Sequence, residues 1–423
     1  MPDADAPPKY HVIVNPIAGT GSAPKFINDH VCSLLERLGI QADVHVTESV
    51  KDAGRIGRDI VLERIDAPPQ DGVTRVVVGG GDGTAHEFIE GVLAAVEEKG
   101  VPLGKWALVT LPLGTANALH STHFPPDAAP LPIPASIAPA VGDISPEVHQ
   151  ALSSLFLALD GAPARPLPIT LTSLVRADGS VSEVVPDHIV LSTALHAAIL
   201  SDSDALRAEH PGLERYKLAA AANIAEFFPA DVELVPDSER GVRQYDPRTR
   251  AEAGGRVRLN GPFTYFLTTN STARLEPTFV IAPTLASLPR DEGERTTDIV
   301  ILRPLRDPAV RKAIDDGGDG GAQWVARAKE VLGGAYQDGR HVQFTYAGPG
   351  PVEDAGPGDV VVETFRAAGF TWRPTDDTHA KSHIVCADGS LYDIEVGGEA
   401  RAHVLGSEAA DGASADRGFW VWG

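Results

Sequence analysis

The first 120 residues alternate between short apolar runs and amphipathic stretches. Four runs have the length and β-branched content of buried parallel strands: YHVIV (10–14), ADVHV (42–46), TRVVVG (74–79) and KWALVTL (105–111). The amphipathic stretches lie between these runs, at 24–39, about 51–65 and 84–99. Such alternation predicts a doubly wound parallel sheet, whose ligands bind beyond the carboxyl ends of the strands.

From about residue 165 the pattern changes to many short runs in which apolar and polar residues alternate, such as PITLTSLV, FTYFLTT and HVQFTYAG. Short runs separated by turn residues are typical of an antiparallel sandwich or barrel. One helical stretch, about 202–228, interrupts them. We therefore predict an α/β plus β protein. An N-terminal doubly wound parallel α/β domain, 1–160, is followed by a C-terminal antiparallel β-sandwich-like domain, 161–423, with one helical insertion.

The charge balance limits the partners of the chain. It has 36 Lys and Arg against 58 Asp and Glu, a formal charge of −22. A nucleic-acid binder needs a basic face, so we expect no nucleic-acid partner. No window reaches the roughly 20 apolar residues of a spanning helix, and MPDADAPPKY does not resemble a signal peptide. We expect a cytoplasmic protein; a local apolar contact with a membrane and a homodimer are left open.

Three of the predicted strands run directly into Gly-rich loops. The first loop, NPIAGTGSA (15–23), precedes a helix, so its glycines and the helix N–H groups could approach an anion. The second loop, GGGDGTAHEFIEG (79–91), is more specific, because glycines surround Asp82 at the end of a strand. A carboxylate there could hold a magnesium-bound water or accept a hydroxyl proton. The alternatives are a tight turn for the first loop and a helix cap for Asp82.

The third loop, LPLGTANAL (111–119), also follows a predicted buried strand. Gly114 relaxes its backbone, while Thr115 and Asn117 offer a hydroxyl and an amide to a phosphate or a base. One such loop would mean little. Three loops on neighbouring parallel strands would converge on one crevice, which predicts a nucleotide site.

The three loops occur in the order and spacing of the diacylglycerol kinase catalytic domain family, which includes sphingosine and ceramide kinases. The resemblance covers residues 10–120 densely and departs mildly at Ala116, where the family often has Gly. It implies that ATP and Mg2+ bind across the loops, with Asp82 as general base or metal-network acid. It also implies the following nucleotide-binding residues: Asn15, Pro16, Gly19, Thr20, Gly21, Thr47, Gly80, Gly81, Gly83, Thr84, Glu87, Gly114, Thr115 and Asn117.

The segment 195–217 resembles, more thinly, the substrate segment of the same family. The resemblance implies an acidic pair for the substrate and two arginines for the ATP phosphates: Asp202, Asp204, Arg207 and Arg215. Surface ion pairs are the alternative for the arginines. Ala198 stands where sphingosine and ceramide kinases carry an Asp that binds the polar head of the lipid, so the acceptor is left open.

The segment CADGSLYDIEVGG (386–398) resembles the closing Asp-Gly motif of the family, which often reads Asp-Gly-Glu. The third position is Ser390 here, and the resemblance implies Asp388 as a metal ligand. A hairpin turn is the alternative, because Asp-Gly between two strands is a strong hairpin signal.

Together the motifs predict an ATP-dependent lipid kinase that transfers the γ-phosphate of ATP to a hydroxyl of a sphingoid base, ceramide or diacylglycerol. One alternative is a kinase of a soluble acceptor such as NAD, because NAD kinases share the GGDGT loop. A second is a nucleotide-binding relative with weak or no catalysis, which Ala198 and Ser390 favour. A Rossmann dehydrogenase fits poorly, because the first strand–helix turn has no GxGxxG.

Overall fold

The computed structural model describes residues 8–206, 208–210, 214–291, 294–405 and 417–423. Contacts between Cα atoms divide the chain into two compact units. The first unit comprises Met1–Pro168 and Asp411–Gly423, and the second comprises Ile169–Ala410. The sequence pattern places the division near residue 160 and assigns Gly418–Val421 to the second domain, whereas this strand pairs within the first unit. Its pairing is a long-range contact, which a local pattern does not report.

The first unit contains a six-stranded sheet. Its strands are β1 (Tyr10–Val14), β2 (Ala42–Val46), β3 (Val73–Gly79), β4 (Lys105–Thr110), β5 (Arg165–Leu167) and Gly418–Val421. Its helices are α1 (Ala23–Phe26), α2 (Ser33–Arg37), α3 (Asp52–Asp66), α4 (Asp82–Lys99), α5 (Ala118–His123), α6 (Ala138–Val141), α7 (Pro146–Ala151) and α8 (Ser153–Leu159). A π-helical segment, Ile27–Cys32, joins α1 to α2. The strand order is β2-β1-β3-β4, then Gly418–Val421, then β5.

Strands β1 to β4 pair in parallel, which confirms the predicted doubly wound α/β domain. Both faces of β1 are buried, as its uninterrupted apolar run predicts. On one face, Val12 and Val14 belong to an apolar core with Leu34 of α2. On the other face, the ring of Phe88 in α4 meets Trp106 of β4 edge to face, with 5.8 Å between centroids.

Glycines allow α3 and α4 to pack unusually closely. A Cβ atom on Gly91 would lie 2.0 Å from the carbonyl oxygen of Gly54, and one on Gly57 would lie 2.7 Å from that of Phe88. These contacts leave no room for a side chain. Gly91, part of the motif that follows Asp82, therefore serves helix packing, which fixes α4 against its neighbour.

The second unit is built from antiparallel strands, as predicted. Its strands are β6 (Thr170–Val175), β7 (Val181–Asp187), β8 (Val190–Thr193), β9 (Ala230–Val235), β10 (Arg243–Asp246), β11 (Ala251–Gly254), β12 (Arg258–Asn260), β13 (Tyr265–Thr269), β14 (Arg274–Glu276), β15 (Phe279–Val280), β16 (Thr297–Leu302), β17 (Phe344–Tyr346), β18 (Val352–Asp354), β19 (Glu363–Ala367), β20 (Gly369–Pro374), β21 (Ile384–Ala387), β22 (Ser390–Asp393) and β23 (Glu399–Val404). Eight strands form one sheet, β11-β10-β19-β16-β13-β8-β21-β22, and six form another, β12-β9-β20-β23-β6-β7. Two small hairpins, β14-β15 and β17-β18, complete it.

Helices interrupt the strands of the second unit in more than one place. They are α9 (Ala194–Ala205), α10 (Glu214–Asn223), α11 (Thr284–Ser287), α12 (Pro308–Asp315) and α13 (Gly321–Ala335). The predicted insertion corresponds to α9 and α10, whereas α12 and α13 form a helical segment that the sequence pattern did not predict. Gly333-Gly334 and the GGDGG run obscure its helical periodicity, because glycine is a poor helix former. Among the described residues, none of the helices combines the length and apolarity needed to cross a bilayer.

Candidate functional site

The three Gly-rich loops lie at one edge of the sheet of the first unit. They leave β1, β3 and β4, which are neighbours in the sheet, and in register Val14 pairs with Gly79. The first two loops also bind each other. The N–H of Asn15 donates to the carbonyl of Gly79 at 3.0 Å, and its side-chain amide donates to the hydroxyl of Thr84 at 3.1 Å. The loops therefore converge, as their positions after parallel strands predict.

Three glycines bring the loop backbones into direct contact. A Cβ atom on Gly114 would lie 2.3 Å from the Cα of Gly81, and one on Gly19 would lie 2.6 Å from the carbonyl oxygen of Leu113. Gly19 also has a positive φ of 56°, which disfavours a side chain. The glycines of this crevice are thus required by contact between loops, in addition to any role toward a phosphate.

Asp82 joins the second loop to the third. It is the first residue of α4, and its carboxylate accepts hydrogen bonds from the backbone N–H of Ala118 at 2.8 Å and of Leu119 at 3.2 Å. The alternative of a cap on its own helix near Thr84 is therefore wrong: the side chain caps the first turn of α5. The side chain is half-buried at the same edge as the loops.

The third loop is shaped by its own asparagine. Asn117 has a positive φ of 53°, its side-chain oxygen accepts from the N–H of Gly114 at 2.8 Å, and its amide donates to the carbonyl of Gly114 at 3.0 Å. The sequence pattern assigns this amide to a phosphate or a base. The structure shows that both ends of it bind Gly114 and hold the loop, and the ligand contact stays a prediction. The hydroxyl-bearing Thr115 lies exposed at the tip.

A fourth segment continues the same edge beyond β2. The backbone N–H of the buried Thr47 donates to the carbonyl of Val14 at 2.9 Å. The Asp52 carboxylate at the start of α3 binds the side chain of Arg55 at 2.6 Å and the N–H of Glu48 at 2.9 Å. The ion pair with Arg55, followed by the Glu48 contact, lowers the pKa of Asp52. The hydrogen bonds of Thr47 to Val14 and of Glu48 to Asp52 thus hold Thr47 beside the first loop.

The predicted nucleotide residues divide by exposure. The following are buried or half-buried: Asn15, Pro16, Thr47, Gly80, Gly81, Thr84, Glu87, Gly114 and Asn117. Those open to solvent are Gly19, Thr20, Gly21, Gly83 and Thr115. The open positions therefore offer the hydroxyls of Thr20 and Thr115 and free space at Gly83. Gly83 lies at the N-terminus of α4, an 18-residue helix whose positive end favours an anion. This donor set suits a triphosphate, and the Asp82 carboxylate is an oxygen donor of the kind that Mg2+ prefers.

Sequence reasoning missed the groups that orient Asp82, the N–H groups of Ala118 and Leu119. It also missed the contact between Asn15 and Thr84. The signal in the sequence was that these positions lie in or next to the family motifs. The motifs do not show which of these residues contact each other. A cleft of about 910 Å³ in the first unit lies elsewhere, at Lys9, Arg64 and Arg75 beside the amino ends of β1 and β3.

The acidic pair predicted for the substrate lies in α9 of the second unit. Asp202 accepts from the side-chain amide of Asn223 at 2.7 Å and from Lys381 at 3.1 Å, and Lys381 also binds Glu226 at 3.2 Å. Asp204 is exposed on the same helix. Asp202 therefore belongs to a polar network that connects α9, α10 and the turn before β21.

The other residues of this segment are less informative. Ala198 is fully buried, so this position offers no polar side chain that could bind the head group of a lipid. Arg215 lies in α10, where its guanidinium stacks 4.7 Å from the ring of Tyr216 and donates to the Tyr216 hydroxyl at 2.8 Å. Arg207 lies outside the described residues.

Asp388 occupies a two-residue hairpin turn between β21 and β22, with Gly389. Both have positive φ, 48° and 97°, as a type I′ turn requires. The buried carboxylate accepts from the ring and the backbone of His188, at 2.6 and 2.9 Å, and from the N–H groups of Ile189 and Val190, at 2.9 and 2.8 Å. Because a carboxylate offers about four lone-pair sites, a metal would compete with these contacts. The role of Asp388 as a metal ligand stays a prediction.

Comparisons with known proteins agree with the loop motifs. Residues 9–135 match the family model of the diacylglycerol kinase catalytic domain. The protein named "Probable lipid kinase YegS" from Salmonella arizonae is 32% identical over 154 residues, 36% of this chain and 47% of that protein. Human sphingosine kinase 2 is 29% identical over 114 residues, 27% of this chain and 16% of that protein. These matches thus span about half and about a sixth of the curated relatives.

Solved structures of two kinases are similar to this chain at low identity. A diacylglycerol kinase from Bacillus anthracis has 13% identity and a TM-score of 0.47, covering 94% of this chain and 93% of that one. Yeast NADH kinase in complex with NADH has 10% identity and a TM-score of 0.38, covering 99% and 84%. The family match rests on the segment that contains all three loops and Asp82. Residues 9–135 of this chain are therefore similar to the diacylglycerol kinase catalytic domain family.

Proposed function

We propose that the protein is an ATP-dependent lipid kinase that transfers the γ-phosphate of ATP to a lipid hydroxyl. The observation that carries the proposal is the convergence of three family loops on Asp82, whose carboxylate is fixed by the N–H groups of Ala118 and Leu119. The match of residues 9–135 to the family model supports phosphoryl transfer. The names of the two curated relatives, a lipid kinase and a sphingosine kinase, support a lipid acceptor.

In this proposal the residues of the chain mainly position groups. The open backbone at Gly83 and the hydroxyls of Thr20 and Thr115 would bind phosphate oxygens beside the N-terminus of α4. Asp82 would accept the proton of the acceptor hydroxyl, or hold a water of the metal. Mg2+, when bound, would supply positive charge that offsets the charge of the phosphates. The fixed orientation of Asp82 limits the entropy lost when the reactants meet.

The acceptor proposed first is a lipid with a neutral hydroxyl head, such as diacylglycerol. Ala198 is buried and offers no carboxylate, which disfavours the amine-bearing sphingoid base among the three predicted lipids. An apolar acceptor also favours a peripheral contact with the membrane. The cytoplasmic location and the homodimer stay predictions.

The test is a survey of acceptors with radiolabelled ATP and Mg2+. Purified protein is mixed with detergent micelles that contain diacylglycerol, ceramide or sphingosine, and separately with NAD in buffer. Labelled lipid on a thin-layer plate supports the proposal, and labelled diacylglycerol supports the neutral head group. Labelled NADP would show that the acceptor is the soluble NAD instead of a lipid. ATP binding without transfer to any acceptor would favour a nucleotide-binding relative with weak or no catalysis.

A further inference from the structure

A second polar cluster lies at the opposite end of the sheet from the loops. It is formed where the amino ends of β1 and β2 meet α3, and we call it the β1–β2–α3 cluster. Its members are Lys9, His11, Asp43, His45 and Glu63. His11 pairs with Asp43 in register across the two strands. Asp43 and His45 are two residues apart on β2, so both side chains project from the same face of the sheet.

The donor atoms of the cluster are already close together. One ligand atom each from His11, Asp43 and Glu63 lies within 4.8 Å of the others. The ring nitrogens of His11 and His45 approach to 3.3 Å. Two donors on one Zn2+ ion lie about 3.3 Å apart when each bond is about 2.0–2.1 Å. Side-chain rotations that move each of these atoms by about 1 Å would therefore allow them to bind one ion.

The side chain of Lys9 already lies against both carboxylates of the cluster. The ammonium of Lys9 lies 2.6 Å from a carboxylate oxygen of Asp43 and 2.5 Å from one of Glu63. One lysine offsets only one of the two carboxylate charges. The cluster thus keeps a charge that a divalent ion would neutralise more fully, while the two imidazoles supply donors that the lysine does not use.

The cluster is reachable from solvent. Lys9, His11 and Glu63 form part of the wall of the cleft of about 910 Å³. The side chains of Asp43 and Glu63 are 38% and 43% exposed, while His11 is 6% exposed. An ion could thus enter from the cleft, bind the two carboxylates and meet the imidazole behind them.

We propose that the β1–β2–α3 cluster binds Zn2+ or a similar divalent transition-metal ion. His11, Asp43 and Glu63 are its ligands, His45 completes the set, and the ion displaces the ammonium of Lys9. Imidazole combined with carboxylate suits Zn2+ better than Mg2+, which favours oxygen donors alone. The site is therefore distinct from the metal of the kinase reaction. Bound metal would tie β1, β2 and α3 together and stabilise the first unit by mass action.

The test is a titration of the metal-free full chain with Co2+ and then Zn2+, without ATP. We expect one Co2+ per chain with the visible absorption of a tetrahedral site, which Zn2+ abolishes. His11→Asn and Glu63→Gln should each weaken binding by more than about tenfold, at least as much as the loss of an outer-shell partner usually costs. Lys9→Met should strengthen binding, because it removes the competing ammonium. His30→Asn, outside the cluster, is the matched control and should bind like the unmodified chain.

If Lys9 has a purely structural role, its variant will give a different result. Lys9→Met would then lower the unfolding temperature without raising the affinity for Co2+, and that result overturns the proposal. Equal binding by the unmodified chain and His11→Asn would overturn it too, because the ion would be bound elsewhere. Should His11→Asn fail to fold, Lys9→Met decides alone. None of these measurements depends on kinase activity. Failure of the metal proposal therefore leaves the proposed function unaffected, and failure of the proposed function leaves the metal proposal unaffected.

Discussion

The carboxylate of Asp82 accepts a hydrogen bond from the backbone N–H of Ala118 at 2.8 Å. This contact joins the loop after β3 to the loop after β4, 36 residues later in the chain. The residue predicted to act on the acceptor is thus also the residue that orders the crevice. Its two roles can be separated, because activity and loop stability are measured independently.

Gly114→Ala should destabilise the crevice. A Cβ atom there would lie 2.3 Å from the Cα of Gly81, so one loop must move. Overpacking of this kind costs about 1–3 kcal/mol. We expect a lower free energy of unfolding, measured by urea denaturation, and weaker ATP binding, measured by calorimetry. Unchanged values for both would show that the two loops are not in contact.

Gly83→Ala is the matched variant in the neighbouring loop. A Cβ atom at Gly83 meets nothing within 4 Å, so the free energy of unfolding should stay close to that of the unmodified chain. ATP binding should still weaken, because the added methyl group occupies the space proposed for a phosphate. Unchanged affinity for ATP would remove the N-terminus of α4 from the phosphate site.

Asp388→Asn should lower the free energy of unfolding by about 1–3 kcal/mol, because the new amide group faces N–H donors. The carboxylate accepts from His188, Ile189 and Val190 in the unmodified chain. Mg2+ should change the unfolding temperature of the variant and of the unmodified chain equally. A stabilisation by Mg2+ that only the unmodified chain shows would instead support Asp388 as a metal ligand.

Asp187 should make stability depend on pH. Burial, and then the charge of Asp388, raise the pKa of Asp187 well above its usual value. The folded state therefore holds a proton that the unfolded state has lost, and stability falls as pH rises from the unfolded pKa, about 3.9, through the folded one. Asp187→Asn should lose less stability than the unmodified chain between pH 5 and pH 8 in urea denaturation. The exposed Glu183→Gln is the control. Parallel pH profiles for Asp187→Asn and the unmodified chain would contradict the raised pKa.

The sequence predicted what local patterns encode. β1 and β2 begin and end at the predicted residues, because a short run rich in β-branched residues specifies a strand. The predicted burial holds for β1 but not for β2, which is at the edge of the sheet with Val44 and Val46 49% and 50% exposed. The loops were placed correctly because each follows such a strand. The Asp388 hairpin followed from its Asp-Gly pair, one of the two alternatives left open.

Long-range pairings could not be predicted in this way. The donors to Asp82 and Asp388 lie 36 and about 200 residues away, and the strand Gly418–Val421 pairs with β4, more than 300 residues earlier. Glycine is also ambiguous: the motif shows where a side chain is excluded, but not whether a phosphate or another loop excludes it. The hydrogen bonds of Asn117 to its own loop could not be predicted either, and its role in nucleotide binding stays a prediction.

The most direct measurement compares the unmodified chain with Asp82→Asn in the transfer of label from ATP to diacylglycerol in micelles. The variant should remain folded by circular dichroism and still bind ATP. Its turnover should fall by about 10²–10⁴-fold, the usual contribution of a general base. Transfer by Asp82→Asn at the unmodified rate would contradict the role given to this carboxylate and, with it, the proposed site of phosphoryl transfer.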